Sequence, residues 1–159
     1  MWTSQHAPYS VALTRSIRVT VQSTYRVEQS MPAKHRYVFS YSVVIANEGA
    51  EPVQLLNRYW NINDGARTEE VSGAGVVGCQ PLLKPGQSFE YTSGCVLKSP
   101  RGKMRGSYEM VTDARERFDV EIAEFALCMP IDLNLVAPVL VGKTTRWRAA
   151  SRLGRSPKN

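Results

Sequence analysis

Histidine is almost absent from this chain: His6 and His35 are the only two. That leaves little for His-based catalysis or for a multi-His metal site. Cysteine is equally sparse. Cys79, Cys95 and Cys128 are an odd number at scattered positions, with neither zinc-like spacing nor a disulfide framework. The implied compartment is a reducing interior, cytoplasmic or mitochondrial. No run approaches the roughly 18 apolar residues a membrane span requires, so no membrane partner is expected. Met1 to Ser16 has no apolar stretch that would serve as a secretory core, and the first acid in the chain is Glu28. Such a segment is compatible with an organellar presequence and equally with a plain arm. Before residue 135 helical periodicity is missing too, since no window of about 11–18 residues keeps it.

Acids are missing from the last 17 residues, which carry Lys143, Arg146, Arg148, Arg152, Arg155 and Lys158. The other basic residues balance all 14 acids, so the whole formal charge of +6 belongs to this tail. A neutral domain with a basic appendage suits contact with nucleic acid or an anionic surface; a solvated end without a partner is the alternative. Arg146, Trp147 and Arg148 combine charge with a stacking ring and are the best RNA anchors; Lys143, Arg152, Arg155 and Lys158 complete the candidate contact set. Just before it, Leu135 to Val141 reads LVAPVLV, an apolar segment expected to lie along the domain or under a partner.

What the chain does have is alternation. Ile17 to Ser23 alternates as a first strand. In Arg36 to Asn47, Tyr37, Phe39, Tyr41, Val43 and Ile45 share a heavy, aromatic face that should be core. Asn47 to Pro52 reads as a turn, Val53 to Asn63 as a return strand, and the short link predicts a hairpin between them. Thr68 to Val71 is a short exposed strand. Ser88 to Ser93, Met104 to Val111 and Arg117 to Ile122 follow as strands, the last with Phe118, Val120 and Ile122 inward. Gly106 marks a bulge or a close approach. About seven short strands with regular turns predict an all-β, antiparallel sandwich. The division is an arm over 1–16, a sandwich domain over 17–134 and a C-terminal extension with a basic tail over 135–159.

Gly73-Ala-Gly75-Val-Val-Gly78 spells GxGxxG. In a dinucleotide-binding turn these glycines follow a buried strand and open a helix. Here Pro81, Pro85 and Gly86 would break such a helix, and an alternating strand comes next. The other reading is that the glycines turn the chain and cross a sheet edge. Lys103 and Arg105 share one strand face and would offer an anion site beside this loop if the two meet; otherwise they belong to a solvated outer face. Cys95 reads as a structural thiol. Glu69, Glu70, Glu121 and Glu124 read as protective charges on edges and turns, and Trp60 and Tyr59 as core and rim.

The stretches RYVFSYSVVIANEGAEPVQLLNRYWNI, GAGVVGCQPLLKPGQSFEYTSGC, GKMRGSYEM and RFDVEIAEFAL, in that order, resemble the ApaG domain family from about Ile17 to Asn134. The resemblance implies an immunoglobulin-like, fibronectin type III-like sandwich and no secure activity. It links bacterial members to cobalt and magnesium tolerance. In eukaryotic relatives, F-box proteins and a polymerase-interacting protein, it implies a protein-binding module. It puts a discussed pyrophosphate site on Gly73, Gly75 and Gly78. Tyr59 departs from a histidine usual before Trp60, which weakens any metal role there. The expected function is a non-enzymatic protein-interaction module without cofactor or metal. The alternatives are a subunit or assembly factor of an RNA-containing, possibly organellar ribosomal, complex using the tail, and a binder of small phosphorylated ligands at the glycine loop or, as the resemblance to bacterial members implies, a role in cobalt and magnesium tolerance.

Overall fold

A computed structural model describes residues 7–130. They form nine strands: β1 (Tyr9–Thr14), β2 (Ile17–Tyr25), β3 (Tyr37–Asn47), β4 (Val53–Asn63), β5 (Thr68–Ala74), β6 (Leu82–Leu83), β7 (Ser88–Leu97), β8 (Arg101–Thr112) and β9 (Arg117–Cys128). One sheet has the order β1-β2-β3-β7 and the other β5-β4-β8-β9, with β6 beside β4. Every pairing is antiparallel. This is the expected immunoglobulin/fibronectin type III-like sandwich, and its core is the space between the two sheets.

The aromatic face of β3 does point inward: Tyr37, Phe39, Tyr41, Val43 and Ile45 are all buried. The sheets meet through rings. Tyr41 stands edge-on to Trp60 of β4 with centroids 5.3 Å apart, and Trp60 meets Phe125 of β9 at 6.0 Å. Phe39 packs edge-on against Tyr25 at 5.3 Å. From β9, Val120 and Ile122 reach the same core. Burial of such side chains drives the assembly, each contributing about 1.5–3 kcal/mol.

Two expectations need correction. β3 and β4 do not form a hairpin. β3 pairs with β2 and β7, and β4 with β5, β6 and β8, so residues 48–52 cross from one sheet to the other. Alternation tells which face of a strand is apolar, not which sheet holds it, and a five-residue link is long enough to bridge the ~10 Å between layers. Asn47 fixes this crossover from a buried position. Its Nδ2 donates to the carbonyls of Glu51 and Leu83 at 2.9 Å each, while its Oδ1 accepts from the Gly49 N–H at 2.9 Å.

The second correction concerns the N-terminus, where part of the expected arm is a strand. β1 pairs along β2 from Tyr9↔Gln22 to Thr14↔Ile17. Arg15 and Ser16, at φ 47° and 67°, form the two-residue turn between them. On its other flank β1 meets β9: the Ala126 N–H donates to the Ala7 carbonyl at 2.7 Å, and Ser10 Oγ donates to the Ala123 carbonyl at 2.7 Å. The sandwich is thereby closed on the β1–β9 side, and β5 and β7 end the sheets on the other.

Candidate functional site

The glycine segment begins inside a strand. Gly73 belongs to β5, opposite Arg58 of β4. The Arg58 guanidinium fills the space beside it, so a Cβ there would lie 2.9 Å from its nitrogens. Arg58 Nη1 donates to the carbonyls of Ala74 and Gly75 at 3.0 Å each. Gly75 requires its missing side chain: φ is +64°, and a Cβ would meet the Cys79 carbonyl oxygen at 2.2 Å. Val76 and Cys79 exchange N–H···O bonds of 2.8 Å across a tight turn centred on Val77 and Gly78, at φ 41° and 79°. That is the primed type, positive at both central residues.

Three backbone donors of this loop, those of Gly75, Val76 and Cys79, are engaged. The Gly75 N–H bonds the Leu56 carbonyl at 2.8 Å, and the same oxygen accepts from Gln80 Nε2 at 2.9 Å. Leu56 is the extra residue of a bulge in β4, between the pairs Leu55↔Met110 and Asn57↔Glu109, which leaves its carbonyl free to receive them. After the loop the chain enters β6. No helix N-terminus follows Gly78 to meet a pyrophosphate.

Lys103 and Arg105 do not join the glycine segment. On β4, Lys103 lies opposite Asn63 and Arg105 opposite Asn61, whereas Gly73 lies opposite Arg58 on the other flank. Lys103 is thus about 17 Å away along the strand and two strand spacings sideways. Its Nζ pairs instead with Glu124 at 3.7 Å. The cation that reaches the loop is Arg58. A lone arginine in the apolar β4 stretch was the only sequence signal for it.

A concave surface adjoins this segment and shares Arg58, Gly73 and Ala74 with it. On the outer face of the β5-β4-β8-β9 sheet lies an open trough of about 580 Å³ lined by Asn57, Tyr59, Ser72, Gly73, Ser107, Glu109 and Asp119, among others. Register brings them together: Tyr59 lies between Ser72 and Ser107, Asn57 opposite Glu109, and Glu109 opposite Asp119. Asn57 Nδ2 donates to Glu109 Oε1 at 2.7 Å, and the Tyr59 hydroxyl donates to Glu70 Oε2 at 3.0 Å. Arg117 approaches Glu109 at 3.5 Å. Asp119 is exposed. Gly106 lets β8 sit close here, since a Cβ on it would fall 2.0 Å from the Tyr59 carbonyl oxygen. Alternation along GSYEM and RFDVEI already put Ser107, Glu109 and Asp119 on polar faces; only strand pairing makes them neighbours.

Candidate nucleophiles are poorly placed. Burial pushes the Cys95 thiol up to about 12, which leaves it protonated at neutral pH; its Sγ points at Met104 Sδ, 3.9 Å away. His35 caps a single 3-10 turn at φ 54° and is exposed. No group of three or more His, Cys, Asp or Glu among the described residues is arranged to hold a metal ion. None of their helices is long and apolar enough to cross a membrane. The tail candidates Lys143, Arg146, Trp147, Arg148, Arg152, Arg155 and Lys158, with His6 and Leu135 to Val141, lie outside the described residues.

Fold and register thus define a fibronectin type III-like sandwich with one polar, concave sheet face. The family model described as DUF525: ApaG domain matches residues 27–112. Protein ApaG of Anaeromyxobacter dehalogenans (strain 2CP-C) is 54% identical over 126 residues, covering 79% of this chain and 99% of that protein. Protein ApaG of Allorhizobium ampelinum is 55% identical over 126 residues, with 79% and 96% coverage. A crystal structure from Bordetella pertussis, of a protein described as ApaA, superposes with a TM-score of 0.71 at 48% identity, covering 80% of this chain and 99% of that one. The chain belongs to the ApaG family. About a fifth of it has no counterpart in these relatives.

Proposed function

We propose that this chain is a non-catalytic binding module that docks a protein partner on the outer face of the β5-β4-β8-β9 sheet. The trough around Tyr59 carries the reading. It is open and lined by hydroxyls, amides and carboxylates, with Arg58 and the Gly73–Ala74 backbone on its β5 side, which suits a partner's loop or extended segment better than an enclosed small molecule. Tyr59 supplies the flat amphipathic ring favoured at interface centres. Glu109 and Asp119, directly opposite one another, favour basic or hydroxyl-bearing groups on the partner. The protonated Cys95 thiol and the exposed His35 fit a role without covalent chemistry.

The test compares capture from native extract by the full chain and by a Tyr59→Ala/Asp119→Arg variant. A nuclease-resistant protein should be retained by the wild type and lost with the variant, at unchanged Tm. Equal retention by both chains would sink the trough as the docking face. Retention abolished by nuclease would instead favour an RNA-dependent partner.

A further inference from the structure

Among the described residues, three of the six large exposed apolar side chains lie on one short strand: Tyr9 is 60% exposed, Val11 49% and Leu13 55%. They alternate with inward Ser10 and form a stripe along the outer side of β1. Isolated exposed apolar residues are ordinary; three in register on six residues are a continuous apolar track about 14 Å long.

Both flanks of β1 are occupied, by β2 through pairing and by β9 through the Ala7, Ser10 and Thr14 contacts. An added strand has no edge to join there. Whatever covers the stripe must lie across its side chains, and it needs apolar groups rather than a full set of backbone donors.

The position of the chain's exit names an occupant. β1 and β9 run antiparallel, with Ala126 beside Ala7 and Glu121 beside Thr14. β9 therefore carries the chain past the Tyr9 end of the track, with Pro130 four residues, about 13 Å, beyond the Ala126–Ala7 contact. Twenty-nine residues of sequence follow Pro130. Four of them, spanning up to ~14 Å, lead to Leu135–Val141, LVAPVLV, which extends for about 23 Å when stretched. This segment has the needed composition, length and starting point. Pro138 at its centre lacks an N–H, which costs nothing for a segment laid over side chains and would be unfavourable in a paired strand.

We propose that residues 135–141 of the same chain cover the Tyr9–Val11–Leu13 stripe, running from Tyr9 toward Leu13.

Limited thermolysin digestion of the full chain tests this, because the enzyme cuts before Leu and Val and residues 135–141 are a string of such sites. Cleavage there is expected to be at least tenfold slower in the wild type than in a Val11→Asp/Leu13→Asp variant. A companion measurement follows Val11 and Leu13 methyl resonances in the full chain. They should show cross-peaks to methyls of residues 135–141, and should shift on Leu140→Asp, a change that leaves β1 and its neighbours intact. Equal cleavage rates without cross-peaks overturn the proposal. So do cross-peaks found only between differently labelled molecules, which would make a second copy the occupant.

Discussion

The two sheets are alike on the inside and unlike on the outside. Facing the core, β3 offers Phe39, Tyr41, Val43 and Ile45, and β4, β8 and β9 answer with Leu55, Trp60, Tyr108, Val120 and Phe125, all buried. Facing out, the first sheet carries an apolar stripe on β1 and Val96 of β7 among polar groups such as Arg18, Gln22 and Glu90, while the second carries the trough of Asn57, Tyr59, Ser107, Glu109 and Asp119, with Leu82 exposed on β6. Folding constrains the inner faces most tightly. An apolar stripe suits a dry cover, and a polar trough a wet, exchangeable contact.

The largest expected effect tests the inner equivalence. Phe39→Ala in the first sheet and Phe125→Ala in the second, each side chain 1% exposed, should both cost roughly 3–5 kcal/mol in denaturant unfolding. That is a large fraction of a domain's stability. A Phe39→Ala chain with unchanged midpoint would show that the β3 faces are reversed; a large cost from one Phe and none from the other would mean that only one sheet holds the core.

The inner faces were legible because alternation is a local property. In β3 it is complete, and β4, β7, β8 and β9 fall where alternating stretches stand. What alternation does not carry is the partner of each strand. The β3–β4 link therefore read as a hairpin, although Asn47 turns it into a crossover. β1 escaped notice because its polarity is inverted: the small Ser10 points in, toward the Ala123 carbonyl, while Tyr9, Val11 and Leu13 point out. Of the GxGxxG glycines, Gly75 and Gly78 stand at positive φ in the tight turn and Gly73 lies in β5; Arg58, which anchors that turn, carries no motif. The trough is built across strands, so its members are far apart in sequence, as Asn57 and Asp119 are.

A middle-sized effect sits where the inner faces meet. The hydroxyls of Tyr91 from β7 and Tyr108 from β8 bond one another in the core. Burial pushes both phenols well above their usual range, and Tyr41 is raised as well. An unfolded chain releases a phenol proton near pH ~10, while the folded chain holds it. Below that pH the contribution is fully present. Above it the unfolded state binds fewer protons, and stability falls by about 1.4 kcal/mol per pH unit for each such group until the folded phenols titrate. Urea midpoints at pH 9 and pH 11 should therefore differ, and Tyr91→Phe/Tyr108→Phe should flatten the dependence, since removing both partners orphans neither. A double variant as alkali-sensitive as the wild type would place the titrating groups elsewhere.

The smallest effect on stability is expected on the outer face of the second sheet, and its smallness is what makes it informative. Asp119 is exposed and stands directly across from Glu109. Like charges opposed on one face of an antiparallel pair are mildly unfavourable, and Glu109 already has Asn57 and Arg117 as partners. Asp119→Asn should therefore leave the unfolding free energy within about 0.5 kcal/mol of wild type, or raise it slightly. Thermal melts of the two chains, set beside partner capture by each, separate the cases: reduced capture at equal or higher Tm marks a contact residue. A clear loss of stability would instead make Asp119 part of the scaffold and remove the trough's distinction from the inner face.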